Sequence, residues 1–298
     1  MNDLFSITRK NDNPSGRIIW SEDQIAFIIN EYNNHHSTTK IANKFKVSRE
    51  SIRNVLRKNN CKVLSLEELG KINYPRNSDY FQEINSPDKA YWLGFLYADG
   101  YIGRGSEIRI GLSSKDEEHL KKFLDAIGAT NSKIHHSEKI TLDKVFYQSY
   151  ISIRDKKMCE DLRDKGCVNK KSLILTFPTE KISKNLYSHF VRGYFDGDGS
   201  IHFTQCGQAK KPNYRISFYG TKDMLEHIRA ILNKDNLALE KRNKIYSLTI
   251  MGNKQLESIL SFIYKDSYDE IELTRKRQIY TNFLLQRIGG EPIQVGCE

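Results

Sequence analysis

Regular alternation of apolar and polar residues predicts half-buried strands in two parts of the chain. The alternation covers four stretches, residues 107–113, 150–154, 214–219 and 246–250. Apolar residues at helical spacing predict helices over residues 116–128, 157–165, 222–233, 254–264 and 273–286. A repeated apolar segment opens each part, so both parts follow the order helix, two strands, helix, two strands, helix. The predicted fold class is therefore α+β, with two pseudo-symmetric αββαββα half-domains.

The N-terminal residues show helical spacing instead. Ser21, followed by two acidic residues, predicts a helix start, and Ser48 predicts the cap of a third helix that ends near Asn59. Three short helices over residues 17–60 are typical of a helix-turn-helix unit, whose third helix enters a DNA groove. The exposed face of that helix carries the predicted DNA-binding residues Arg49, Arg53, Asn54 and Arg57. A solvated helix on a small interaction domain is the alternative.

Changes in composition along the chain predict the domain boundaries. Residues 1–60 form the small helical DNA-binding unit, in which residues 17–60 hold eight Lys or Arg against four Asp or Glu, a formal charge of +4. Residues 61–88 are polar, contain Pro75 and Pro87, and are predicted as a linker. The first half-domain with its connector is expected over 89–186 and the second over 187–298.

The apolar segments that open the two half-domains, residues 92–100 and 191–199, carry nearly the same pattern. Each ends in Asp-Gly and has small residues four positions apart, namely Gly94, Ala98, Gly193 and Gly197. Because positions i and i+4 lie on one helix face, we expect the two helices to pack closely along these small residues. The closing glycines, Gly100 and Gly199, are predicted to end the helices in the left-handed conformation.

This packing places Asp99 and Asp198 side by side at two helix C-termini. The helix dipole disfavours an anion at that end by roughly 0.3–1 kcal/mol, and two like charges raise each other's pKa. A bound divalent cation removes both penalties, and a site of carboxylate oxygens with open positions suits Mg²⁺. The calcium loop of an EF-hand does not fit at Asp196–Gly199, because its sixth position would be Ile201, where that loop requires glycine.

The paired segments and their flanks resemble the LAGLIDADG homing endonucleases in their single-chain, two-motif form, over residues 79–288. The approach to the first motif, with Asp79-Tyr80-Phe81 and Ala90-Tyr91-Trp92, is similar to the bacterial and phage branch of that family. Lys171-Ser172 followed by Phe177-Pro178 is similar to the same branch. One departure is Tyr97, where the second motif has Asp196.

The resemblance implies a site-specific endonuclease that makes a double-strand break in a long, non-palindromic DNA target by metal-dependent phosphodiester hydrolysis. It implies two half-domains joined at a paired-helix interface and a Mg²⁺ site formed by Asp99 and Asp198, with the carbonyls of Ala98 and Gly197 as further ligands. A basic residue near each scissile phosphate is also implied. The candidates for that catalytic role are Lys156, Lys222 and Lys254, with Arg154 as another.

The polar positions of the alternating strands predict the DNA-binding faces of the two sheets. The apolar positions point to the core, so the others share the opposite face, where Arg reads guanine and Ser or Thr reads several bases. The predicted DNA-binding residues there are Arg109, Ser152, Arg154, Arg215, Ser217, Ser247 and Thr249. An ordinary solvated sheet face is the alternative interpretation.

The bulk properties agree with a nucleic-acid partner inside a cell. The 298-residue chain has a formal net charge of +10 and a pI near 9.2, which favours a polyanion. Its five cysteines are scattered and form no Cys-x-x-Cys pair, so we expect reduced thiols and no zinc site. With neither a signal peptide nor a membrane span in the sequence, we expect location in the cytoplasm or nucleoid of a bacterium or phage-infected cell, or in an organelle.

Two acidic tips in one chain predict a functional monomer without an obligate protein partner, since single-motif relatives must dimerise. Two other functions stay open. A maturase that assists intron RNA splicing would use the same fold, and a DNA-binding transcription regulator would use the helix-turn-helix as its main functional part. Retention of both Asp99 and Asp198 favours the nuclease over the regulator.

Overall fold

The computed structural model divides the chain into two compact units, residues 1–76 and 77–298. It describes residues 4–10, 16–141, 144–169, 171–204, 213–268 and 271–289. Within this part of the chain, every helix is too short or too polar to pass through a bilayer.

The first unit contains a short hairpin and four helices. Strands β1 (Thr8–Arg9) and β2 (Ile18–Ile19) pair antiparallel, and the helices are α1 (Glu22–Asn33), α2 (Thr38–Phe45), α3 (Arg49–Lys58) and α4 (Leu66–Asn73). Serine side chains cap all four helices by accepting a backbone N–H. Lys46 ends α2 in the left-handed conformation, and the chain enters α3 two residues later. The three predicted helices are present, and their role as a helix-turn-helix unit stays a prediction.

Residues 61–88, predicted as a linker, divide between the two units. Helix α4 belongs to the first unit, where Leu69 is buried and the Tyr32 hydroxyl accepts the backbone N–H of Leu64 at 2.6 Å. Tyr80 and Phe81 are buried in the core of the second unit. Helix α4 carries two local helix signals within a polar segment, namely Leu66, Leu69 and Ile72 at helical spacing and the capping box of Ser65 with Glu68.

The second unit consists of two half-domains with the same element order, to which the second half-domain adds a final helix. The first contains α5 (Pro87–Ala98), β3 (Gly100–Ile102), β4 (Glu107–Ser113), α6 (Glu117–Ala126), β5 (His135–Thr141), β6 (Lys144–Arg154) and α7 (Lys156–Asp164). The second contains α8 (Tyr187–Asp198), β7 (Ser200–Thr204), β8 (Asn213–Gly220), α9 (Lys222–Ile231), β9 (Glu240–Arg242), β10 (Ile245–Met251), α10 (Asn253–Tyr264) and α11 (Thr274–Arg287). The sheets have matching antiparallel orders, β3-β4-β6-β5 and β7-β8-β10-β9. The predicted α+β fold class is confirmed.

Each sheet buries the apolar face that the alternation predicts. In the first sheet Ile108 pairs with Ile153, and in the second Phe218 pairs with Leu248; all four side chains are buried in one continuous core. The outer hairpins differ in length, because β5 pairs with β6 over seven residues and β9 pairs with β10 over three. Strand β5 lies in a polar segment where the alternation gives no strand signal.

Helices α5 and α8 pack against each other through their glycines. A Cβ on Gly94 would overlap the carbonyl oxygen of Phe190, and one on Gly193 would overlap that of Tyr91. The prediction that Gly100 and Gly199 end the helices in the left-handed conformation is wrong. Gly199 is extended, with φ −75°, and Gly100 is not among the residues with positive φ. Both are required for space, since a Cβ there would overlap Leu96 or Phe195.

Candidate functional site

Two carboxylates lie where α5 and α8 end together. Asp99 is the C-cap of α5, and Asp198 is the last residue of α8. A Cβ on Gly197 would overlap Ala98 and lie 3.4 Å from the Asp99 carboxylate, so the absence of a side chain at Gly197 leaves space beside that carboxylate. The two aspartates predicted to meet are therefore positioned by the close helix packing.

The environment of this pair opposes ionisation. Both residues are exposed at the surface, but the packed helix ends around them partly desolvate the carboxylates. Desolvation, followed by the charge of Asp198, raises the pKa of Asp99 to about 6. Desolvation also raises the pKa of Asp198. A pair of carboxylates held in this way binds protons more readily than isolated aspartates do, and a cation competes with those protons.

A buried lysine lies beside the end of α5. The Nζ of Lys171 donates hydrogen bonds to the carbonyl oxygens of Leu96 and Ala98, both at 2.8 Å, and to that of Gly100. Burial lowers the pKa of Lys171, while the charges of Asp198 and Asp99 oppose that shift. The ammonium thereby satisfies carbonyls that the helix end leaves unpaired and offsets the negative charge of the carboxylates.

The second half-domain repeats this arrangement with Lys276, the third residue of α11. Its Nζ donates to the carbonyl of Asp196 at 2.9 Å, to that of Gly199 at 2.6 Å and to that of Phe195. Burial lowers the pKa of Lys276 to about 8. Its charge lowers the pKa of both Asp99 and Asp198, as does that of Lys171.

These two lysines are functional candidates that sequence reasoning missed. In the sequence, Lys171 belongs to a segment that resembles a family branch, and Lys276 lies in the last predicted helix without a pattern that marks it. The elements around them differ, since Lys171 lies in a 3₁₀ turn and Lys276 in an α-helix. The repeat therefore gives no common sequence pattern by which to find the pair.

The residues at this site fit a divalent cation in part. Among the described residues, no cluster of three or more His, Cys, Asp or Glu side chains could hold a metal. Mg²⁺, however, usually keeps several waters and takes only one or two protein carboxylates together with substrate phosphates. Asp99 and Asp198 match that ligand set. The Ala98 carbonyl, predicted as a further ligand, already accepts a hydrogen bond from Lys171, and Gly197 is retained as a prediction.

The lysines predicted to assist catalysis all lie at helix N-termini. Lys156 and Lys222 are the first residues of α7 and α9, and Lys254 is the second residue of α10. All three are exposed, and two face acidic residues on their own helices, Lys156 at 3.8 Å from Glu160 and Lys222 at 3.6 Å from Glu226. Their role stays a prediction.

The polar face of the first sheet exposes a hydrogen-bonded group of side chains. Glu107 accepts hydrogen bonds from Arg109 and Ser152, both at 2.8 Å. The Arg109 guanidinium lies 5.9 Å from the centre of the Tyr150 ring. Arg109, Ser152 and Arg154 are exposed, as predicted for a binding face.

The polar face of the second sheet is different in character. Arg215 is exposed, but Ser217 and Ser247 are only 3% and 1% exposed. Ser217 lies in hydrogen-bond contact with Thr249 at 3.1 Å, and Arg242 donates to Ser247 at 3.4 Å. The two serines therefore support neighbouring side chains in this structure, and direct contact with a ligand would require those neighbours to move.

The exposed face of α3 in the first unit has the predicted composition. Arg49, Asn54 and Arg57 are exposed and Arg53 is half-buried. Glu50 pairs with Arg57 at 2.7 Å and lies 3.8 Å from Arg53. One acidic side chain thus holds two of the basic residues that we expect to contact DNA.

Comparison with known proteins gives distant likenesses. No protein-family model matches the chain. The replication factor C small subunit of Methanocaldococcus jannaschii is 26% identical over 183 residues, which cover 59% of this chain but 9% of that protein. Two solved structures are similar to this chain at 15% identity. They are the homing endonuclease I-WcaI bound to its DNA recognition sequence (TM-score 0.47; 72% of this chain, 95% of that chain) and the LAGLIDADG meganuclease I-AabMI bound to uncleaved DNA (0.43; 68% and 92%).

Proposed function

We propose that this protein is a site-specific DNA endonuclease of the LAGLIDADG homing type that makes a double-strand break in a Mg²⁺-dependent hydrolysis. The observation that carries this proposal is the pair Asp99 and Asp198 at two adjoining helix ends, flanked symmetrically by the buried ammonium groups of Lys171 and Lys276. Two carboxylates with a raised pKa at an exposed edge repel each other and add little to stability, but together they suit a divalent cation.

Each group in this arrangement has a defined part in the proposal. Asp99 and Asp198 would hold the divalent cation, which would supply positive charge for a leaving 3′ oxygen and make water more acidic. The charges of Lys171 and Lys276 lower the pKa of both carboxylates and so favour their ionised form. The same ammonium groups provide positive charge close to the position of a bound phosphate. Lys156, Lys222, Lys254 and Arg154 are retained as further candidates for contacts with the scissile phosphates.

The two sheets supply the DNA-binding surface. In this proposal, bases in a major groove are contacted by Arg109, Ser152 and Arg154 in the first half-domain and by Arg215 and Thr249 in the second, with Arg preferring guanine. Ser217 and Ser247 act as supports of that second face. Because the faces differ, we propose a non-palindromic target whose half-sites span about two helical turns at about 10 bp per turn.

The remaining parts of the proposal concern the first unit and the oligomeric state. The face of α3 binds a flanking segment of the double-stranded DNA through Arg49, Arg53, Asn54 and Arg57 and increases affinity by phosphate contacts that weaken with salt. The chain acts as a monomer without an obligate protein partner, since it carries both carboxylates itself.

The experiment is a selection for cleaved sequences from a randomised double-stranded DNA library in Mg²⁺. The wild-type chain should recover one long asymmetric sequence, cut on both strands. The matched control is the double variant Asp99→Asn/Asp198→Asn, which should recover none. Recovery of bound but uncut DNA by the wild-type chain would replace the nuclease with a DNA-binding regulator. If a parallel binding assay shows that the chain binds structured RNA more tightly than this DNA, the maturase would be favoured.

A further inference from the structure

The residue two positions before each paired aspartate differs between the half-domains, Tyr97 in the first and Asp196 in the second. Both side chains are buried, at 1% and 2% exposure. Neither touches the exposed edge where DNA would bind, and the proposed mechanism assigns neither a role. Each nevertheless makes a hydrogen bond to the segment that carries the buried lysine of its own half-domain.

In the first half-domain the side chain that holds this segment, here called the tether, is the phenol of Tyr97. The Tyr97 hydroxyl donates a hydrogen bond to the backbone carbonyl of Lys165, and a Cβ on the neighbouring Gly166 would overlap that hydroxyl. The chain runs from this point to Lys171, whose ammonium returns to the carbonyls at the end of α5. The thiol of Cys167 also contacts the Leu96 carbonyl at 3.5 Å. Tyr97 thus fixes the start of a short segment that ends at the lysine.

In the second half-domain the tether is a carboxylate. Asp196 accepts a hydrogen bond from the backbone N–H of Leu273 at 2.8 Å. Leu273 is the N-cap of α11, and Lys276 lies in the first turn of that helix. The Tyr91 and Tyr264 hydroxyls donate to the same carboxylate at 2.8 and 3.0 Å, and these bonds fix its orientation. Asp196 thereby holds the helix end from which Lys276 reaches the carbonyls of α8.

We propose that Tyr97 and Asp196 are equivalent positioning residues, each of which holds the lysine-bearing segment of its half-domain so that the ammonium group stays beside the paired carboxylates. The chemistry differs because the segments present different groups. A backbone carbonyl, at Lys165, requires a donor such as tyrosine, and a backbone N–H, at Leu273, requires an acceptor such as aspartate. The difference between Tyr97 and Asp196 therefore matches the difference between the backbone groups that they bind. This inference depends on the proposed function only for its effect on DNA cleavage.

The first test measures lysine accessibility without DNA. The native full chain is acetylated with an amine-reactive ester, and the rates at Lys171 and Lys276 are read by peptide mass spectrometry. Tyr97→Phe should increase labelling of Lys171 by about 3- to 10-fold, as loss of one hydrogen bond does to a local opening equilibrium, and leave Lys276 unchanged. The control is Tyr194→Phe, which removes the same atom from a buried tyrosine of α8 whose hydroxyl donates to the Tyr219 carbonyl at 2.7 Å. It should change neither lysine.

The second half-domain is tested by two variants at one position. Asp196→Asn keeps an oxygen that can accept the Leu273 N–H, so the labelling rate of Lys276 should stay near that of the wild type. Asp196→Ala removes the acceptor and should expose Lys276 selectively. If Asp196→Ala fails to fold, the Tyr97→Phe result decides the proposal. Unchanged Lys171 labelling in Tyr97→Phe, or an equal rise at both lysines, would overturn the proposal, because a merely structural defect loosens both sites together.

The third readout connects the tethers to activity. On a target recovered by the selection described above, with each strand end-labelled, Tyr97→Phe should slow nicking of one strand by about 10-fold relative to the other. Tyr194→Phe should affect both strands equally or not at all. If the wild-type chain cuts no DNA, the proposed function fails while the labelling pattern still decides the positioning roles. If the wild type cuts and Tyr97→Phe slows both strands equally, the positioning proposal fails alone.

Discussion

The two half-domains of the second unit place the same charged groups at a helix end but take the lysine from different elements. Both end their first helix at an aspartate, and both place an ammonium group on the carbonyls at that end. The lysine comes from a 3₁₀ turn in one half-domain and from an α-helix in the other. What the halves share is the position of charges around the helix ends, and this shared feature, more than any common sequence, points to a paired chemical site.

The sheet faces show the opposite relation. Their strand orders match, but the first face exposes Arg109 beside Glu107 and Tyr150, whereas the second buries Ser217 and Ser247. The outer hairpin is also longer in the first half-domain. Conservation of charge at the helix ends and divergence on the sheets are expected if one cation chemistry serves two unlike half-sites of DNA.

The largest expected effect comes from the glycines that allow the helix ends to meet. Gly94→Val and Gly193→Val should each lower the free energy of unfolding of the second unit by about 3 kcal/mol or more, because the new side chain meets backbone that cannot yield. Chemical denaturation followed by tryptophan fluorescence gives the value. Gly105→Ala, in open space, is the control and should stay within about 0.5 kcal/mol of the wild type. Tolerance at one glycine but not the other would break the symmetry proposed for the interface.

The buried lysines should produce the next largest effect. Lys171→Met and Lys276→Met keep side-chain length but remove the charge, and each should reduce cleavage by about 100-fold, as loss of an electrostatic group does at other sites. Single-turnover rates on the selected target provide the measurement. The same change at the exposed residues Lys156, Lys222 and Lys254 tests the sequence-based candidates. If cleavage is lost at those positions while both buried-lysine variants stay fully active, the catalytic lysines are those at the helix N-termini.

These lysines also show where sequence reasoning stopped. The repeat of small residues, the position of both aspartates and the alternation of the strands follow from local spacing, and all are found in the structure. Lys171 lies in a 3₁₀ turn and Lys276 in an α-helix, so only the folded chain brings them to the same site. Helix α4 carries local helix signals, which the polar composition of residues 61–88 outweighed in the prediction. Strand β5 has a polar sequence without alternation and forms a strand because it pairs with β6 in a hairpin.

The difference between the sheet faces predicts a smaller, position-dependent effect. Arg109→Ala and Arg215→Ala should each cost about 1–3 kcal/mol of binding and relax sequence preference in one half-site only. Repeating the library selection with each variant identifies the positions that become degenerate. The circular dichroism spectrum of each variant, compared with that of the wild type, checks that the sheet keeps its fold. Relaxation of the same positions by both variants would mean that the half-domains do not read separate half-sites.

The smallest effect concerns stability as a function of pH. The folded pKa of Asp99, near 6, is above its unfolded value of 3.8, so its contribution to stability is complete below about pH 4 and is lost as the pH rises through 6. Asp99→Asn should therefore stabilise the metal-free protein at pH 7 by about 1 kcal/mol, a reduced figure because solvent reaches the carboxylate. Urea unfolding in EDTA between pH 4 and 8 measures this. If the variant is less stable than the wild type at pH 7, the ionised Asp99 does not destabilise the metal-free protein, which contradicts this account.

The most direct test of the paired site is cleavage by the single variants Asp99→Asn and Asp198→Asn in Mg²⁺, with binding to the same DNA measured in parallel by gel shift. Each variant retains the shape of the helix end and loses one anionic ligand. We expect each to lose cleavage of both strands by about 10³-fold or more, while DNA affinity stays close to that of the wild type. Full cleavage by either variant would show that Asp99 and Asp198 do not form one cation-dependent site.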